Sequence, residues 1–586
     1  MSTRTPDYGQ APSYMGEIPR YVSYTSPVSI AGGARDGSNA SSAARLPLNL
    51  LALIIDCLDD VGDLARVTRT SRLLYYLTLP VLYQRVSLHS YEDIRYVNGR
   101  PEGFGGGSPL MMALNGLVTK SHAALVKEFR IWGQWKEVGL EEFRMGRVPD
   151  NSMMLNMLLR ACVDKMSKLQ SFTWALDTKP LKTLYQGLAA RDTLASLTLR
   201  FSSSRVPRPS VLVPPMANLR ALKIEEYDPL CYPDDVSLLI LQSRKLEDLR
   251  LHFSPRMRRE AEPSLSLGKF FGRCAKADYR PKLKHFALQN FIGTNLDGIE
   301  NFYDPDTCRS MTMFDTFGGA GNSSLSAATV FLDSMWNDMS HDMRPHFRCM
   351  RGNEVNEKFI ELLKMFAGLE RLYLVSGQDK TSAQQDTPES GQLSPRAQTV
   401  TPVGSPPGSD DMKNLGRQYL HTLTQYHGQS LKHLLLPRDW AWNAEEMGTL
   451  IRFCPNLEQV GFALNTSNQA ILRLLLPFLV KLKAFRLLHN QHLSEAMRMM
   501  SHEDRMASIG AELPRVGSAA CALRWIGMGS TVYRVDGDRE MEMEDGSFEV
   551  RREIIMVPRE EVQHVEIWRL DTLDLDDDPS IPLKSL

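Results

Sequence analysis

The sequence LASLTL at residues 194–199, followed by LRALKI at 219–224 and LEDLRL at 246–251, decides the fold. Each copy has apolar residues at its first, fourth and sixth positions. The same pattern begins at residues 169, 283, 369, 431, 457 and 482, with end forms at 126 and 523. Apolar residues at alternate positions are typical of a strand with one buried face, so each copy predicts a short β-strand.

Helical spacing of apolar residues precedes several of these strands, as at residues 153–166 and 444–454. The clustered pattern starts are 25–27 residues apart, and one helix plus one strand at this period resembles the leucine-rich repeat. Such a unit hides its apolar face only by stacking on a neighbour. The resemblance implies an α/β fold, an irregular leucine-rich-repeat solenoid over residues 120–529, with parallel strands on its concave face and helices on its convex face.

Composition predicts further boundaries. Residues 1–44 are rich in Ser, Gly, Pro and Tyr without periodicity, which predicts a disordered tail. Insertions into the solenoid are expected at about 301–340 and 380–411, and the second contains four Ser/Thr-Pro pairs that are candidate phosphorylation sites. Alternating apolar and polar residues around charged turns predict a C-terminal β-hairpin cap followed by a solvated acidic tail, together covering residues 530–586.

A different pattern, LPLNLLALIIDCLDDVGDLARVTRTSRLLYYLTLPVLYQRVSL, occupies residues 46–88. Its Leu-Pro start, leucine-rich helix, acidic turn and Ser71-Arg72 pair resemble an F-box, and its end resembles the form that precedes leucine-rich repeats in filamentous-fungal proteins. We assign residues 45–90 to this F-box-like helical motif. The resemblance implies that its apolar side chains dock a Skp-type adaptor within a cullin-based SCF ubiquitin ligase. The residues implied to contact the adaptor are Leu46, Pro47, Leu50, Leu51, Ile54, Ile55, Leu58, Leu64 and Val67.

The same amphipathic pattern also fits a helical cap over the first repeat, which every solenoid needs. Two functions therefore remain open. The chain is either a substrate-recognition adaptor of an SCF-type ligase or a repeat scaffold for protein interactions with no link to ubiquitylation.

A partner-binding face follows from the repeat itself. If the first, fourth and sixth positions of each strand face the core, the third, fifth and seventh point into the concave groove. Arg and aromatic residues are common energetic anchors of protein interfaces. The predicted substrate-binding residues are Arg200, Lys223, Arg250, His285, Arg371, Tyr373, Arg486 and Trp525.

Other functional classes lack sequence support. The formal net charge of −1 gives no reason to expect nucleic acid or a membrane as the main partner. The eight cysteines form no CxxC pair, and His341 and His346 have no third ligand at suitable spacing, so we expect no metal. Neither a phosphate-binding loop nor a nucleophile elbow occurs. We therefore expect a protein that is not an enzyme, has no cofactor and resides in the cytoplasm or nucleus.

Overall fold

The computed structural model describes residues 46–58, 60–91, 96–97, 100–101, 108–135, 141–142, 145, 147–201, 210–228, 234–254, 270–290, 303–314, 345–353, 355, 357–375, 409–465, 476–490, 501–515, 522–542, 548–573 and 575. The predicted tail at 1–44 and most of the predicted insertion at 380–411 lie outside these residues. The chain divides into two units, Met1–Asp60 and Val61–Leu586.

In the first unit, helix α1 (Leu48–Asp56) is the only described helix. Helices of the second unit within the described ranges are α2 (Val61–Val67), α3 (Arg72–Leu82), α4 (Pro109–Thr119), α5 (Asp150–Lys165), α6 (Lys182–Ala189), α7 (Ser237–Gln242), α8 (Gly272–Lys276), α9 (Glu357–Lys364), α10 (Ser409–Thr422), α11 (Ala444–Phe453), α12 (His502–Arg515) and α13 (Glu566–Arg569). Short 3-10 helices cover Ser121–Leu125, Leu476–Phe478 and Arg559–Val562, and a π-helical turn covers Leu423–His427.

Strands alternate with these helices along the second unit. They are β1 (Arg85–Ser90), β2 (Tyr96–Val97), β3 (Arg100–Pro101), β4 (Glu128–Gly133), β5 (Ser171–Leu176), β6 (Ser196–Arg200), β7 (Ala221–Tyr227), β8 (Asp248–Phe253), β9 (His285–Gln289), β10 (Ser310–Phe314), β11 (Cys349–Gly352), β12 (Arg371–Leu374), β13 (His433–Leu435), β14 (Ala441–Trp442), β15 (Gln459–Leu464), β16 (Ala484–Leu487), β17 (Trp525–Met528), β18 (Thr531–Glu542) and β19 (Phe548–Val557).

All strands except the β2–β3 hairpin join one sheet of 17 strands. Its strands pair in parallel from β1 and β4 through to β17, with β14 beside β15. Strands β18 and β19 then add an antiparallel hairpin to β17. The expectation of an α/β fold with a long parallel sheet is therefore confirmed, and the sheet does not close on itself.

One row of side chains across the sheet explains this order. In register, the row runs Phe129, Phe172, Leu197, Leu222, Leu249, Phe286, Met311, Met350, Leu372, Leu434, Val460, Phe485 and Ile526. All are at most 2% exposed and belong to one hydrophobic core that also includes the inward residues of α4 to α7 and α11. Except for Met311 and Met350, each residue of this row stands at the fourth position of a copy of the sequence pattern.

Two strands that contribute to this row lie where the sequence did not predict them. Residues 303–314 fall within the predicted insertion at 301–340, yet β10 is a regular strand between β9 and β11. Its core-facing positions hold Cys308, Met311 and Met313, so the repeat is present with sulfur-containing side chains in place of leucine. In β11 the equivalent positions are Phe347, Met350 and Gly352. The leucine template missed both strands because burial requires apolar volume rather than leucine.

A buried ion pair lies in the core between β5 and α7. Lys179 Nζ contacts the Asp234 carboxylate, and both residues are at most 3% exposed. The carboxylate also accepts a hydrogen bond from the backbone N–H of Val211 (2.8 Å) and one from the Tyr185 hydroxyl (3.4 Å). Burial raises the pKa of Asp234 despite the nearby ammonium group. The carboxylate therefore depends on these donors to remain charged.

Another buried titratable group, His427, ends the π-helical turn. Its Nε2–H donates to the Leu363 carbonyl (2.9 Å), and its Nδ1 accepts from the Leu369 N–H (3.4 Å). The bond that Nδ1 accepts requires the neutral ring, and burial lowers the pKa of His427 to about 4 although the bond to the Leu363 carbonyl favours the charged form.

We expect the free energy of unfolding to fall as the pH is lowered from about 6.5 towards 4, because only the unfolded chain then readily protonates His427. The folded pKa lies below the unfolded one, so this contribution is complete above pH 6.5 and reaches about 3 kcal/mol at most. Urea unfolding of wild type and His427→Gln at pH 7.5 and 5 measures it. The exposed His421 provides the control, since His421→Gln should keep the wild-type pH dependence. An identical pH dependence in His427→Gln would contradict the assignment.

Candidate functional site

The eight predicted substrate-binding residues lie on one face of the sheet. A second row, here called the central row, runs Arg130, Thr173, Thr198, Lys223, Arg250, Ala287, Thr312, Arg351, Tyr373, Leu435, Gly461, Arg486 and Gly527. These positions alternate with the core-facing positions along each strand, so their side chains lie on the opposite face. Four predicted residues are in this row, and the other four flank it on the same face.

The chain's own C-terminal segment lies across much of this face. Residues 559–573 and 575, here called the strap, follow the β18–β19 hairpin and contact strands from β17 back to β8. His564 packs against Trp525 on β17 with ring centroids 5.3 Å apart. At the other end, Arg250 on β8 donates to the carbonyl of Leu575 (2.8 Å). The Asp-rich end, for which we predict a solvated tail, lies almost wholly outside the described residues.

Arginine side chains of the central row hold the strap by its backbone. Arg351 donates to the carbonyls of Leu570 (3.0 Å) and Thr572 (2.7 Å), and Arg486 donates to that of Ile567 (2.9 Å). Outside the row, Gln289 on β9 donates to the carbonyl of Leu573 (2.6 Å). The acceptors in these hydrogen bonds are main-chain carbonyls, which every residue has. The contacts therefore fix the path of the strap across the strands and do not depend on its side chains.

The side chain of Glu566 also anchors the strap to the sheet. Its carboxylate accepts a hydrogen bond from the Tyr373 hydroxyl (2.7 Å), contacts His433 Nδ1, and pairs with Arg371 (3.2 Å). Burial by itself would raise the pKa of Glu566, but the His433 and Tyr373 contacts and the Arg371 charge outweigh it and lower the pKa to about 2. Glu566 therefore stays ionised at neutral pH.

Apolar contacts complete the docking. The strap side chains Val562, Val565, Ile567, Trp568, Leu570 and Leu575 are at most 6% exposed. They form a second hydrophobic cluster with residues of the sheet such as Phe314, Leu435 and Leu488. A Cβ at Gly527 would come within 2.7 Å of the Trp568 ring, so the sheet leaves room there for the indole. The sheet face beneath the strap thus has apolar side chains and an open position that fits the Trp568 ring, unlike a solvated sheet surface.

The predicted substrate-binding residues consequently divide into two groups. Arg250, Arg371, Tyr373, Arg486 and Trp525 contact the strap. The other three lie on strands β6, β7 and β9: Arg200 pairs with Glu226 (2.9 Å), Lys223 pairs with Glu225 (2.7 Å), and His285 is exposed. The first group therefore already has an intramolecular partner.

The residues implied to contact an adaptor also differ in exposure. Leu46, Pro47, Leu50 and Ile54 are exposed, whereas Leu51, Leu58 and Val67 are half-buried. Ile55 and Leu64 are 3% and 4% exposed. Their contact with an adaptor stays a prediction. The sequence pattern missed Leu53, which is 59% exposed on α1.

Groups suited to chemistry are scarce in the described residues. Burial raises the pKa of the Cys162, Cys308 and Cys454 thiols to about 12 and that of Cys274 to about 11, which keeps these sulfurs protonated and unreactive. No group of three His, Cys, Asp or Glu side chains in the described ranges could hold a metal ion. Nor does any described helix have the length and apolar character needed to cross a bilayer.

Comparisons with known proteins do not extend this description. No protein-family model matches the chain, and no curated protein matches it at a significant level.

Proposed function

We propose that this protein is a substrate-recognition subunit of an SCF-type ubiquitin ligase. In this proposal the helices of residues 45–90 dock a Skp-type adaptor, which links the chain to a cullin, and a leucine-rich-repeat solenoid binds the protein substrate. The proposal joins the F-box-like sequence at residues 46–88 to the sheet that follows it.

Exposed apolar side chains on α1 are the observation that carries the proposal. Leu50, Leu53 and Ile54 are 43%, 59% and 54% exposed on a helix of nine residues. Their spacing of three and four residues puts them on one helix face. A contiguous apolar surface of this kind is typical of a site that a protein partner covers. Helix-in-groove docking uses anchors at just such spacing.

The solenoid part of the proposal is supported by the repeating unit of the second chain unit. A core-facing row of apolar residues continues from β4 to β17, and helices such as α5, α6 and α11 separate successive strands. Repeat proteins bury a continuous core in this way and use an extended sheet face for binding. A long face of this type suits a polypeptide partner better than a small molecule.

Ile54→Asp is expected to abolish co-purification with the Skp-type adaptor, because it places a charge on the exposed apolar face of α1. The exposed Leu48 provides a matched control, since Leu48→Asp adds the same charge at a position that helical spacing turns away from Leu50, Leu53 and Ile54. Pull-down with the purified adaptor, with thermal unfolding of each variant alongside, measures the effect. Retention of the adaptor by Ile54→Asp, with the repeats folded, would contradict the proposal.

A second candidate is a repeat scaffold in which the N-terminal helices act only as a cap. It is favoured by the burial of Leu64 on α2 and by the packing of Tyr83 against His122, with ring centroids 4.7 Å apart, where β1 joins the sheet. This candidate expects no adaptor binding by the wild-type chain. If this candidate is correct, deletion of residues 46–88 should destabilise the whole repeat body. The pull-down with the wild-type chain separates this scaffold candidate from the ligase-subunit proposal.

A further inference from the structure

The central row contains four arginines, and three of them already bind the strap. Arg250, Arg351 and Arg486 each donate to a backbone carbonyl of the strap. The fourth, Arg130 on β4, lies at the opposite end of the same row. It has no acidic partner in the described part of the chain, and its Nε is buried without a hydrogen-bond acceptor.

The surroundings of Arg130 form a small aromatic platform. Its guanidinium carbon is 5.3 Å from the centroid of the Trp132 ring, and that ring stacks on His89 at 3.8 Å with an interplanar angle of 10°. Trp132 Nε1 donates to the Ser87 hydroxyl (2.9 Å), which fixes the indole beside Arg130. Thr173 is the neighbour of Arg130 in the row. An arginine beside a fixed aromatic ring is a common arrangement at protein interfaces.

Charge balance on these strands leaves Arg130 in surplus. Arg85 pairs with Glu128 (3.2 Å), Arg200 with Glu226 (2.9 Å) and Lys223 with Glu225 (2.7 Å). Each of these cations therefore has an acidic neighbour. Arg130 is half-buried, and a carboxylate supplied by a ligand would give its guanidinium the acidic partner that the described residues do not.

We propose that β1 and β4 to β7 bind an extended acidic segment of a partner protein, which crosses the strands and places a carboxylate on Arg130. The strap sets the precedent in the same molecule, since it crosses β8 to β17, gives its carbonyls to arginines of the same row and anchors the carboxylate of Glu566. Its last described residue, Leu575, lies at β8, so strands β1 and β4 to β7 are beyond its contacts. This inference rests on the proposed function, in that the partner is the protein recognised by the repeats.

A fluorescein-labelled peptide with the sequence of residues 566–578, EIWRLDTLDLDDD, is a suitable probe because it combines acidic and apolar residues. We expect fluorescence anisotropy to show that it binds the full chain, and that Arg130→Ala weakens binding by about tenfold or more. Arg130→Lys should restore part of the affinity, because it keeps the charge but not the planar fork. Arg417→Ala, on helix α10 and outside these strands, should bind within about twofold of wild type, since it removes a cation that pairs with Glu446 (2.8 Å) and takes no part in the proposed surface.

Three results would overturn the proposal. The first is an affinity for the probe that does not change in Arg130→Ala. The second is a loss of affinity in Arg371→Ala instead, which would mean that the probe replaces the strap. The third is that the probe binds only to the full chain that carries Asp576→Asn, Asp577→Asn and Asp578→Asn, and not to the wild-type chain. That result would mean that the chain's own acidic residues 576–578 occupy the surface in the wild type. Because the adaptor pull-down depends on α1, it can succeed when the peptide experiment fails, so the two proposals fail separately.

Discussion

Trp568→Ala is expected to release the strap from the sheet and to destabilise the protein by about 3–5 kcal/mol. Trp568 is 2% exposed, lies against the open position of Gly527 and has the Arg486 guanidinium 5.7 Å from its ring centroid. Its removal leaves a cavity in the second hydrophobic cluster at the point where the strap enters it. Hydrogen exchange of residues 559–573 should accelerate, and urea unfolding should shift to lower concentration.

The matched control for this change is Phe548→Ala on β19, in the hairpin that precedes the strap. Phe548 is 69% exposed, so its loss should alter stability by less than about 0.5 kcal/mol. Slow exchange at residues 559–573 in Trp568→Ala would show that the polar contacts alone hold the strap, contrary to this expectation.

Lys179→Met is expected to destabilise the second unit by about 3–5 kcal/mol, because it leaves the buried Asp234 carboxylate without its ammonium partner. The loss should be smaller in acid, where Asp234 can be protonated, since its folded pKa is raised. Urea unfolding at pH 7.5 and 5 measures both effects.

The double variant Lys179→Met with Asp234→Asn tests the cause. The asparagine keeps an acceptor for the Val211 N–H but carries no charge, so most of the stability should return. Lys284→Met serves as the surface control. Lys284 pairs with Glu247 at about half exposure, and an exposed pair contributes no more than about 1 kcal/mol. An equal loss in the double variant would mean that side-chain volume rather than charge is decisive.

The sequence predicted the parallel sheet well because the pattern that marks each strand is the same alternation of apolar residues that burial of one strand face requires. A strand with one buried face needs apolar residues at alternate positions, and residues 194–199 and 246–251 satisfy it with leucines. Strand β10 satisfies it with Cys308, Met311 and Met313, which a template of leucines does not recognise. The face opposite the core followed correctly from the same alternation, so Arg250, Tyr373 and Arg486 were placed on one surface.

The strap was not predictable from local pattern. Residues 559–575 contain apolar and acidic positions without a strand or helix period, and periodicity does not say which surface a terminal segment covers. A signal did exist in the sheet, since Leu435 and Tyr373 stand at face positions where a solvated strand would have polar residues. That signal is weak because single exposed apolar residues are common on protein surfaces. The orphaned nitrogen of Arg130 is likewise a property of three-dimensional neighbours.

The strap also has a consequence for how the protein folds and unfolds. In an array of repeats, each unit contacts only its neighbours, so segments can fray independently. Here Arg250 and Leu575 are 325 residues apart in sequence, and Arg351 and Leu570 are 219 apart. Closing such long loops is entropically unfavourable and slow. Strap docking is therefore expected as a late kinetic phase of folding. Once the strap is docked, the repeats from β8 to β17 are expected to unfold together as one cooperative block.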